Sequence, residues 1–476
     1  MFKFEKVLSL SLIFILLITL FAGGTALATS GDAGESGGTP EGKPVTGLDS
    51  GFGEEFAELY AELEGKTGQD AYDFFDSLKS RGLNDHQILR FFIHLPLSHA
   101  NEQAANIYEQ DGLEAYSQFY PYGEAYNNYT WQPGSGTDIV APFTGVNLRL
   151  PFTDYLPMEA DTIGDPSTTY NVGVVSAGSV HPWSSTVADA FLWQLQQLSN
   201  VNINFQEHLG DDSKLSSIMD TFIAQNVDAI LVHPRSEAGS GPAVRRALAA
   251  DIPVIAVDTL TGSEDITVQV AGNFPANGVQ NAMFLLDQLH NEGSLEANMI
   301  FLRKPLGATN DALRTGHFLK VISYFPEIKI LQSYFDKNSK TEAFDNAQAA
   351  LMAYPEIDVF LNLGDHEALA AYEAITMADR MYSREGGKKI IMLCHNDSRE
   401  VMKMVGEGNF ECTAPSTPLI GDIGARALAM VLAGQEVPQY LVLPNIPLIT
   451  LDGRTLFGMQ TQAVDDWKAY GYGPEV

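Results

Sequence analysis

The sequence predicts an α/β protein with two doubly wound parallel-sheet lobes, joined by a three-strand hinge and preceded by an α-helical N-terminal extension. From Tyr170 onward, short apolar runs alternate with amphipathic helical stretches. Strands that are apolar at consecutive positions are typical of parallel sheets covered by helices on both faces. The runs form two series, one on each side of Gly272, and two such series of βα units predict two lobes.

The composition excludes several classes of protein. Among 476 residues, 60 are acidic and 28 are basic, which gives a net charge of −32. Binding to nucleic acid or to anionic lipid requires Lys and Arg to displace counterions, so neither is expected as a partner. The acidic surface favours a soluble monomer. The chain is 45% hydrophobic, which is enough to bury a core.

The two cysteines, Cys394 and Cys412, are too few for a disulfide scaffold or a Cys-rich zinc module. They lie on strands that are expected to be neighbours. Two interpretations stay open: a disulfide, which an oxidising compartment would favour, or two buried thiols.

Residues 1–28 predict a cleavable signal peptide. Lys3 and Lys6 precede an apolar run over Val7–Phe21, and Ala26–Ala28 supplies the small residues of a cleavage site. The run is shorter than the roughly 20 residues that span a bilayer. We therefore expect export to the periplasm. Residues 29–51, rich in Gly, Ser, Pro and Thr, are expected to form a flexible linker.

Residues 52–167 predict a helical and irregular N-terminal extension. Its first half has apolar residues at helical spacing, and Asn84 or Asp85 can cap the third helix. Tyr116–Pro166 is aromatic-rich and irregular. The extension can pack against a lobe or offer a surface to a dedicated partner.

The first lobe is expected to comprise residues 168–272 plus 418–443, and the second lobe residues 273–417 plus 444–476. The chain would then pass between the lobes three times, and such a hinge permits bending. The predicted strands are Val172–Val175, Ile203–Phe205, Ala229–Val232, Pro253–Val257, Met299–Leu302, Ile328–Leu331, Val359–Leu361, Ile390–Leu393 and Cys412–Ala414.

Function is expected at the carboxyl ends of these strands, where doubly wound sheets bind their ligands. Carboxylates, amides, guanidinium groups and aromatic rings follow the strands, and a pocket of that mixture suits a sugar-like molecule. The candidate ligand-binding residues are His181, Trp183, His233, Arg235, Asp258, Thr259, Arg314, Phe335, Asp365, Asn396 and Ser416.

The motifs of common enzymes are incomplete. Gly239–Pro242 lacks the third glycine of a dinucleotide fingerprint, and no strand precedes Gly65–Thr67, which resembles the end of a phosphate loop. The one Gly-x-Ser-x-Gly string, Gly34–Gly38, lies in the linker. His366-Glu367 is not followed by a second His at zinc-protease spacing. No catalytic residue and no cofactor are expected.

In their order along the chain, these segments resemble the type I periplasmic substrate-binding proteins of sugar ABC transporters, the ribose-binding-like family. The resemblance covers about Tyr170–Thr450. It rests on the first strand with its His-Pro-Trp loop, a "V-D-A-I-L-V-x-P" segment, an "I-P-V-I-A-V-D" strand, an Arg-x-Gly-x-Phe stretch, and a strand that leads to Asp-x-x-Ala-Leu. These are Asn171–Trp183, Val227–Pro234, Ile252–Asp258, Arg314–Phe318 and Val359–Leu369.

The resemblance implies roles for four residues. Trp183 and Phe335 would stack on a sugar, Asp258 would bind hydroxyls, and Arg314 would grip ring or anomeric oxygens. The alternatives are that Trp183 fills a core, that Asp258 caps a turn and that Arg314 pairs with a surface carboxylate.

The chain departs from the family at four positions. Gly364 stands where Asn is usual, so that hydrogen bond must come from Asp365 or be lost. Asn396 replaces Asp, Ser416 replaces Gln, and Thr259 replaces the Arg of the most similar members.

Four histidines, His181, His233, His366 and His395, fall at predicted strand ends. One interpretation is a metal, or an anionic ligand bound in a pH-dependent way. The other is that each is a hydrogen-bonding loop residue, and no metal is assigned.

These observations predict a protein that is not an enzyme: a periplasmic solute-binding protein that closes on a sugar or sugar-like solute and delivers it to an ABC transporter permease. The alternative is a sensor component that presents the solute to a chemoreceptor or histidine kinase. A metal-assisted enzyme in the His-rich cleft is a third hypothesis.

Overall fold

The computed structural model describes residues 54–119, 140–141, 146–147, 161–178, 181–337, 339–443, 445–467 and 471–473. The predicted signal peptide, the linker and most of the irregular half of the extension lie outside the described residues. No helix in the described part combines the length and the apolar character that crossing a membrane requires.

Within its described residues, the extension has a 3-10 turn at Glu54–Phe56, followed by five α-helices and a short antiparallel ribbon. Asn84 caps the third helix through a hydrogen bond of 3.0 Å from Gln87 N to its Oδ1, and the Gln87 side chain accepts from Asn84 N in return. The elements are α1 (Ala57–Leu63), α2 (Gly68–Ser77), α3 (Asp85–Ile93), α4 (Glu102–Gln110), α5 (Leu113–Phe119), β1 (Val140–Ala141) and β2 (Val146–Asn147).

The first lobe is a six-stranded parallel sheet with helices on both faces. Its strands are β3 (Tyr170–Ser176), β4 (Val201–Glu207), β5 (Ala229–Val232), β6 (Val254–Val257), β7 (Val268–Ala271) and β13 (Tyr440–Val442). Its helices are α6 (Pro182–Gln196), α7 (Asp212–Ala224), α8 (Glu237–Ala249) and α14 (Ile420–Leu432). The strand order is β13-β7-β6-β5-β3-β4.

Burial of the inner strands explains their apolar runs: β5, β6 and β7 are buried at every residue, whereas β4 at the edge of the sheet is only partly buried. In β3, Val174 packs into the core beneath α6 and α14, while its neighbour Val175 packs into the core beneath α7 and α8. Both faces are therefore covered, as consecutive apolar residues predict. Strand β7 was not predicted from the sequence, because the polar Gln269 interrupts its apolar run. Gln269 is buried, and its Nε2 lies 3.3 Å from Thr259 O.

The second lobe is a seven-stranded sheet. Its strands are β8 (Ala297–Arg303), β9 (Ile328–Phe335), β10 (Val359–Asn362), β11 (Ile391–His395), β12 (Cys412–Ala414), β14 (Ile449–Thr450) and β17 (Gln462–Ala463), and a hairpin of β15 (Thr455–Leu456) and β16 (Met459–Gln460) stands apart. Its helical elements are α9 (Phe274–Asn291), α10 (Thr309–Ile322), α11 (Lys340–Ala353), α12 (Asp365–Met377), a 3-10 turn at Glu385–Gly387, α13 (Arg399–Gly406) and α15 (Val464–Trp467).

The second sheet has the order β17-β14-β12-β11-β10-β8-β9 and is parallel except for the antiparallel pair β12–β14. The chain passes between the sheets after β7, after β12 and after β13. The predicted fold class, with two doubly wound lobes, a three-strand hinge and a helical extension, is confirmed.

The extension packs against the second lobe and shares its core. Aromatic residues of α2 and α3, including Phe75, Phe91 and Phe92, belong to the same buried cluster as α9 and α10. Backbone bonds extend the contact, since Gly68 N donates to Tyr324 O at 2.9 Å. Helix α9 is consequently buried on nearly every side, between the extension and the sheet.

Cys394 and Cys412 are buried free thiols on the neighbouring strands β11 and β12. Cys412 pairs in register with Leu393, so Cys394 is displaced by one residue. Successive strand residues point to opposite faces, and the two thiols accordingly belong to different core clusters. The disulfide interpretation is therefore wrong, and the buried-thiol interpretation is confirmed.

The substitution Asn101→Ala tests whether the extension is an integral part of the second lobe. Asn101 is buried, its Nδ2 donates to Phe325 O at 2.9 Å and to Ile328 O at 2.7 Å, and its Oδ1 caps α4. Removing the cap and leaving buried carbonyls without a donor should lower the free energy of unfolding by about 3 kcal/mol. Urea titration measures this. Asn106→Ala, at an exposed position of α4, is the matched control and should change stability by less than about 0.5 kcal/mol. Equal effects of the two variants would contradict the assignment.

Candidate ligand-binding site

A cavity of about 230 Å³ lies between the carboxyl ends of the two sheets. The loops after β3, β4, β5 and β6 line it from the first lobe, and those after β8, β9, β11 and β12 line it from the second. This is the edge at which doubly wound sheets bind ligands. Its volume lies just below the usual range of ligand pockets, roughly 300–1,000 Å³, and suits a small solute.

Nine of the eleven residues predicted from the sequence line this cavity, and two do not. The nine are His181, Trp183, His233, Arg235, Asp258, Thr259, Arg314, Asn396 and Ser416. That each of these residues contacts a ligand stays a prediction.

Phe335, at the end of β9, is not among the lining residues. The Arg303 guanidinium lies 4.3 Å from the centre of its ring, and Arg303 is paired with Asp311 and with Asp111 of the extension. The ring therefore stacks on a structural arginine.

Asp365 lies behind the cavity wall. Its carboxylate accepts hydrogen bonds from His181 Nε2 at 3.0 Å and from Tyr472 OH at 2.8 Å, and it lies 3.4 Å from Asn396 Nδ2. Burial alone would raise the pKa of Asp365, but the charge and hydrogen bond of His181, with Lys304 and His366 nearby, hold it well below its usual value. Asp365 thus positions His181 and Asn396.

His181 and Trp183 begin helix α6 at the cavity. His181 Nδ1 accepts from Trp183 N at 3.1 Å and so caps the helix, with Pro182 in its first turn. In the neutral imidazole this leaves the proton on Nε2, the nitrogen that faces Asp365. Trp183 Nε1 donates to Ser416 O at 2.6 Å, and its ring meets that of His233 edge to face at 5.6 Å.

Asp258 directly follows β6 and has a φ of 69°, in the left-handed region that Asp tolerates better than most residues. Its side chain is buried, yet its nearest donors among the described residues are distant: Thr259 Oγ1 at 3.5 Å and His233 Nε2 at 3.8 Å. A buried carboxylate without close donors is costly. Hydroxyl groups of a ligand would supply those donors.

Arg314 faces Asp258 from α10 of the second lobe. Its Nη1 donates to Leu363 O at 2.8 Å and its Nη2 to Asn396 Oδ1 at 2.9 Å, while its buried Nε has no hydrogen-bond partner among the described residues. Burial lowers the pKa of Arg314, and Asp258 is the foremost of the carboxylates that oppose this shift. These bonds fix the side chain, and its Nε is a buried donor that is left unsatisfied within the described residues.

Lys304 is a lining residue that the sequence analysis missed, and it explains Gly364. A Cβ on Gly364 would lie 2.3 Å from Lys304 Nζ and 2.7 Å from Glu367 Oε2, and these two atoms form a buried ion pair of 3.0 Å. The space of the family's usual Asn is thus occupied by an ion pair. Because Asp365 lies behind the wall, Lys304 is the polar group that reaches the cavity here.

The remaining lining residues were not predicted either, although most of them follow a strand. Lys304 and Lys337 both follow strands of the second sheet, so their positions could have identified them. Pro234 stands beside two predicted residues, and Ala177, Leu209 and Pro305 give no chemical signal. These residues are Ala177, Ser184, Leu209, Gly210, Pro234, Pro305, Ala308, Asn310 and Lys337.

In the described ranges, two groups of side chains carry atoms that could ligate a metal: His181 with Asp365 and His366, and Asp336 with His366 and Glu367. In each group the ligand atoms lie within 4.8 Å of one another. However, Lys304 Nζ lies 3.2 Å from His366 Nδ1, and an ammonium group at that distance opposes a second cation by like-charge repulsion. The carboxylates already have positive partners, so we assign no metal.

His395 takes no part in the cavity. It is fully buried, its Nδ1 lies 2.9 Å from Asn362 O, and its Nε2 lies 3.1 Å from Asn281 Nδ2. Burial, reinforced by the charge of Arg314, lowers its pKa well below the usual value. It is a neutral hydrogen-bonding residue of the second lobe, as the alternative interpretation held.

Several contacts join the lobes around the cavity, so the structure is a closed form. His181 meets Asp365, Trp183 meets Ser416, and Thr309 Oγ1 donates to Glu237 Oε1 at 2.9 Å. Thr309 also accepts from Leu260 N at 3.3 Å.

The substitution Asp365→Asn should lower the free energy of unfolding by about 3 kcal/mol at neutral pH, because it removes the buried carboxylate charge that interacts with His181, Lys304 and His366. The pKa of Asp365 is depressed in the folded protein. Its contribution is therefore complete above the unfolded value near 3.9 and declines as the pH falls below it. The deficit of the variant should shrink by about 1 kcal/mol between pH 5 and pH 3.

Urea titrations across that pH range measure this deficit. Asp379→Asn is the control, since Asp379 is exposed and has a left-handed φ of 53° that Asn also adopts. A deficit that does not change with pH would contradict the role of the Asp365 charge.

Comparisons of the sequence and of the structure with known proteins agree on one family. A family model described as a periplasmic binding protein domain matches residues 172–436, which is more than half of the chain. The xylitol-binding protein of Mycolicibacterium smegmatis is 28% identical over 183 residues, 38% of this chain and 51% of that protein. The ribose import binding protein RbsB of Bacillus subtilis is 25% identical over 236 residues, 49% of this chain and 72% of that protein. The chain thus spans about half the length of the first relative.

Among solved structures, an ABC transporter solute-binding protein from Bacillus halodurans with bound myo-inositol shares the fold, with a TM-score of 0.57 and 19% identity over 64% of this chain and 99% of that one. The predicted resemblance is confirmed, and the chain belongs to the periplasmic binding protein domain family.

Proposed function

We propose that this protein captures a small polyhydroxylated solute, a sugar or a polyol, by closing its two lobes around it, and that it delivers the solute to an ABC transporter permease. The observation that carries the proposal is the unsatisfied pair at the cavity. In the part of the chain that the structure describes, Asp258 of the first lobe has no donor closer than 3.5 Å, and Arg314 of the second has a buried Nε without a partner. A molecule with several hydroxyls satisfies both at once, because a hydroxyl donates and accepts.

The relatives support this class of solute. Their names specify xylitol and ribose, a polyol and a sugar. The word import in one of them supports a transporter as the partner. Together with the predicted export signal and acidic surface, this favours a periplasmic monomer. A sensor role makes the same demands on the cavity and differs in its partner alone.

Closure would couple binding to recognition by the permease. Lining residues come from both lobes, so all of their contacts with a solute exist only in the closed form, and the solute shifts the population toward that form. We assign no catalytic step. Burial raises the pKa of both cysteine thiols, so neither Cys394 nor Cys412 supplies a thiolate nucleophile.

The substitution Asp258→Asn should weaken solute binding about 10- to 100-fold, because it replaces charge-assisted hydrogen bonds by neutral ones. A thermal-shift panel of pentoses, hexoses, polyols and sugar acids identifies a solute, and calorimetry measures its affinity for both proteins. Asp251→Asn, an exposed residue of the same lobe with a φ of 58°, is the matched control. The assignment of Asp258 fails if both variants bind equally well.

The substitution Thr309→Val should weaken solute binding by about tenfold. It leaves the cavity wall unchanged, because Thr309 is not a lining residue. In the closed form it leaves Leu260 N and the Glu237 carboxylate without their partner across the cleft. In the open form water replaces that partner, so the closed fraction falls and the apparent affinity falls with it.

Calorimetry measures the affinity of this variant, and small-angle scattering measures its radius of gyration with and without solute. Thr221→Val is the control, since Thr221 is exposed on α7 and bonds only within its helix, to Ser217 O. Unchanged affinity together with unchanged scattering would show that this contact does not hold the lobes together.

A further inference from the structure

The charged residues of the cavity wall are basic with one exception. Arg235, Lys304, Arg314 and Lys337 line the cavity, and Asp258 is the one carboxylate among the described lining residues. The chain as a whole has 60 acidic and 28 basic residues. The cavity thus reverses the charge balance of the molecule, and the sign of a cleft's charge selects for the opposite sign in its ligand.

The two lysines are already compensated. Lys304 Nζ lies 3.0 Å from Glu367 Oε2 in a buried ion pair. Lys337 is exposed and lies 3.3 Å from Glu342 Oε1. Neither adds a free positive charge to the wall, although Lys304 keeps a donor beside the cavity.

The Arg314 charge is balanced at a distance by Asp258. Its direct partners, Leu363 O and Asn396 Oδ1, are uncharged, but Asp258 is the foremost carboxylate acting on its pKa. These two residues together contribute no net charge, and they suit the hydroxyl-bearing part of a solute.

Arg235 is the positive charge that remains. No carboxylate lies within 4.0 Å of its guanidinium in the described ranges, and its Nη1 donates to Gly210 O at 2.6 Å. Gly210 has a φ of 77°, and a Cβ there would lie 2.8 Å from Arg235 Nη1. The glycine therefore allows the guanidinium to lie against the loop after β4, which fixes it at the cavity with further N–H groups unused.

We propose that the solute carries a carboxylate in addition to its hydroxyls, and that Arg235 binds this carboxylate: the cavity selects a sugar acid over the neutral sugar or polyol of the same carbon skeleton. This inference rests on the proposed function and specifies its substrate class. A guanidinium binds a carboxylate through two parallel hydrogen bonds, while Asp258 accepts from hydroxyls. The small cavity favours a carboxylate over the larger phosphate group.

Matched pairs of solutes test the selection. Calorimetry compares gluconate with glucitol, ribonate with ribitol, galacturonate with galactose, and glucose 6-phosphate with glucose, each at low and at high ionic strength. The acid of at least one carboxylate pair should bind about tenfold or more tightly than its neutral partner. That advantage should shrink with added salt, because salt screens charge interactions and leaves neutral ones unchanged.

The substitution Arg235→Gln should reduce the affinity for the acid to about that of its neutral partner, while the affinity for the neutral partner changes little. Arg246→Gln removes an equal charge from the same lobe at an exposed position of α8, where Arg246 pairs with Asp220. This control should leave the ratio of the two affinities unchanged. Circular dichroism establishes that both variants are folded.

The outcomes separate this inference from the proposed function. If the neutral partners bind as tightly as the acids, or if Arg235→Gln keeps the preference, the carboxylate inference is overturned and the capture of a polyhydroxylated solute stands. A preference for the phosphate over every carboxylate also overturns it. Binding of no solute from either class overturns both proposals.

Discussion

Compensation of buried charge at the strand ends of the second sheet is the constraint on which the closed structure depends. Asp336, Asp365 and Glu367 are buried there, and a buried carboxylate is costly unless it is paired. Lys304 and His366 supply part of the compensation from the same lobe. His181, which meets Asp365, comes from the first lobe.

The constraint thus links charge balance to closure. When the lobes separate, Asp365 loses His181, and water must replace it. The same constraint fixes Gly364, since the Lys304–Glu367 pair fills the space that a side chain would need. The glycine at position 364, where the family usually has Asn, therefore follows from the ion pair behind the cavity wall.

Nine of the thirteen strands in the two sheets could be predicted from the sequence, because strands covered on both faces leave a local signature of consecutive apolar residues. The strands β13, β14 and β17 have only two or three residues, too few to leave that signature. Strand β7 carries a buried Gln269 and lacks that signature.

The place of the site was predictable because the carboxyl ends of parallel strands meet at one edge of a sheet. What a strand end does not reveal is the direction of a side chain. Asp365 is turned inward by Tyr472, 107 residues away in the sequence, and Phe335 is held by Arg303, whose partners include the extension. Such directions depend on contacts between distant segments, which a local pattern does not contain.

The acidic surface and the basic cavity act over different distances. A net charge of −32 repels an anion, but at physiological ionic strength the repulsion from exposed charges fades beyond about 8 Å. In the proposed complex, Arg235 would act on a group in direct contact, where salt screens the interaction much less than it screens distant charges. The acidic surface would therefore slow the association of an anionic solute, and the contact with Arg235 would slow its dissociation. Retention in the closed form, rather than attraction from a distance, would then set its affinity.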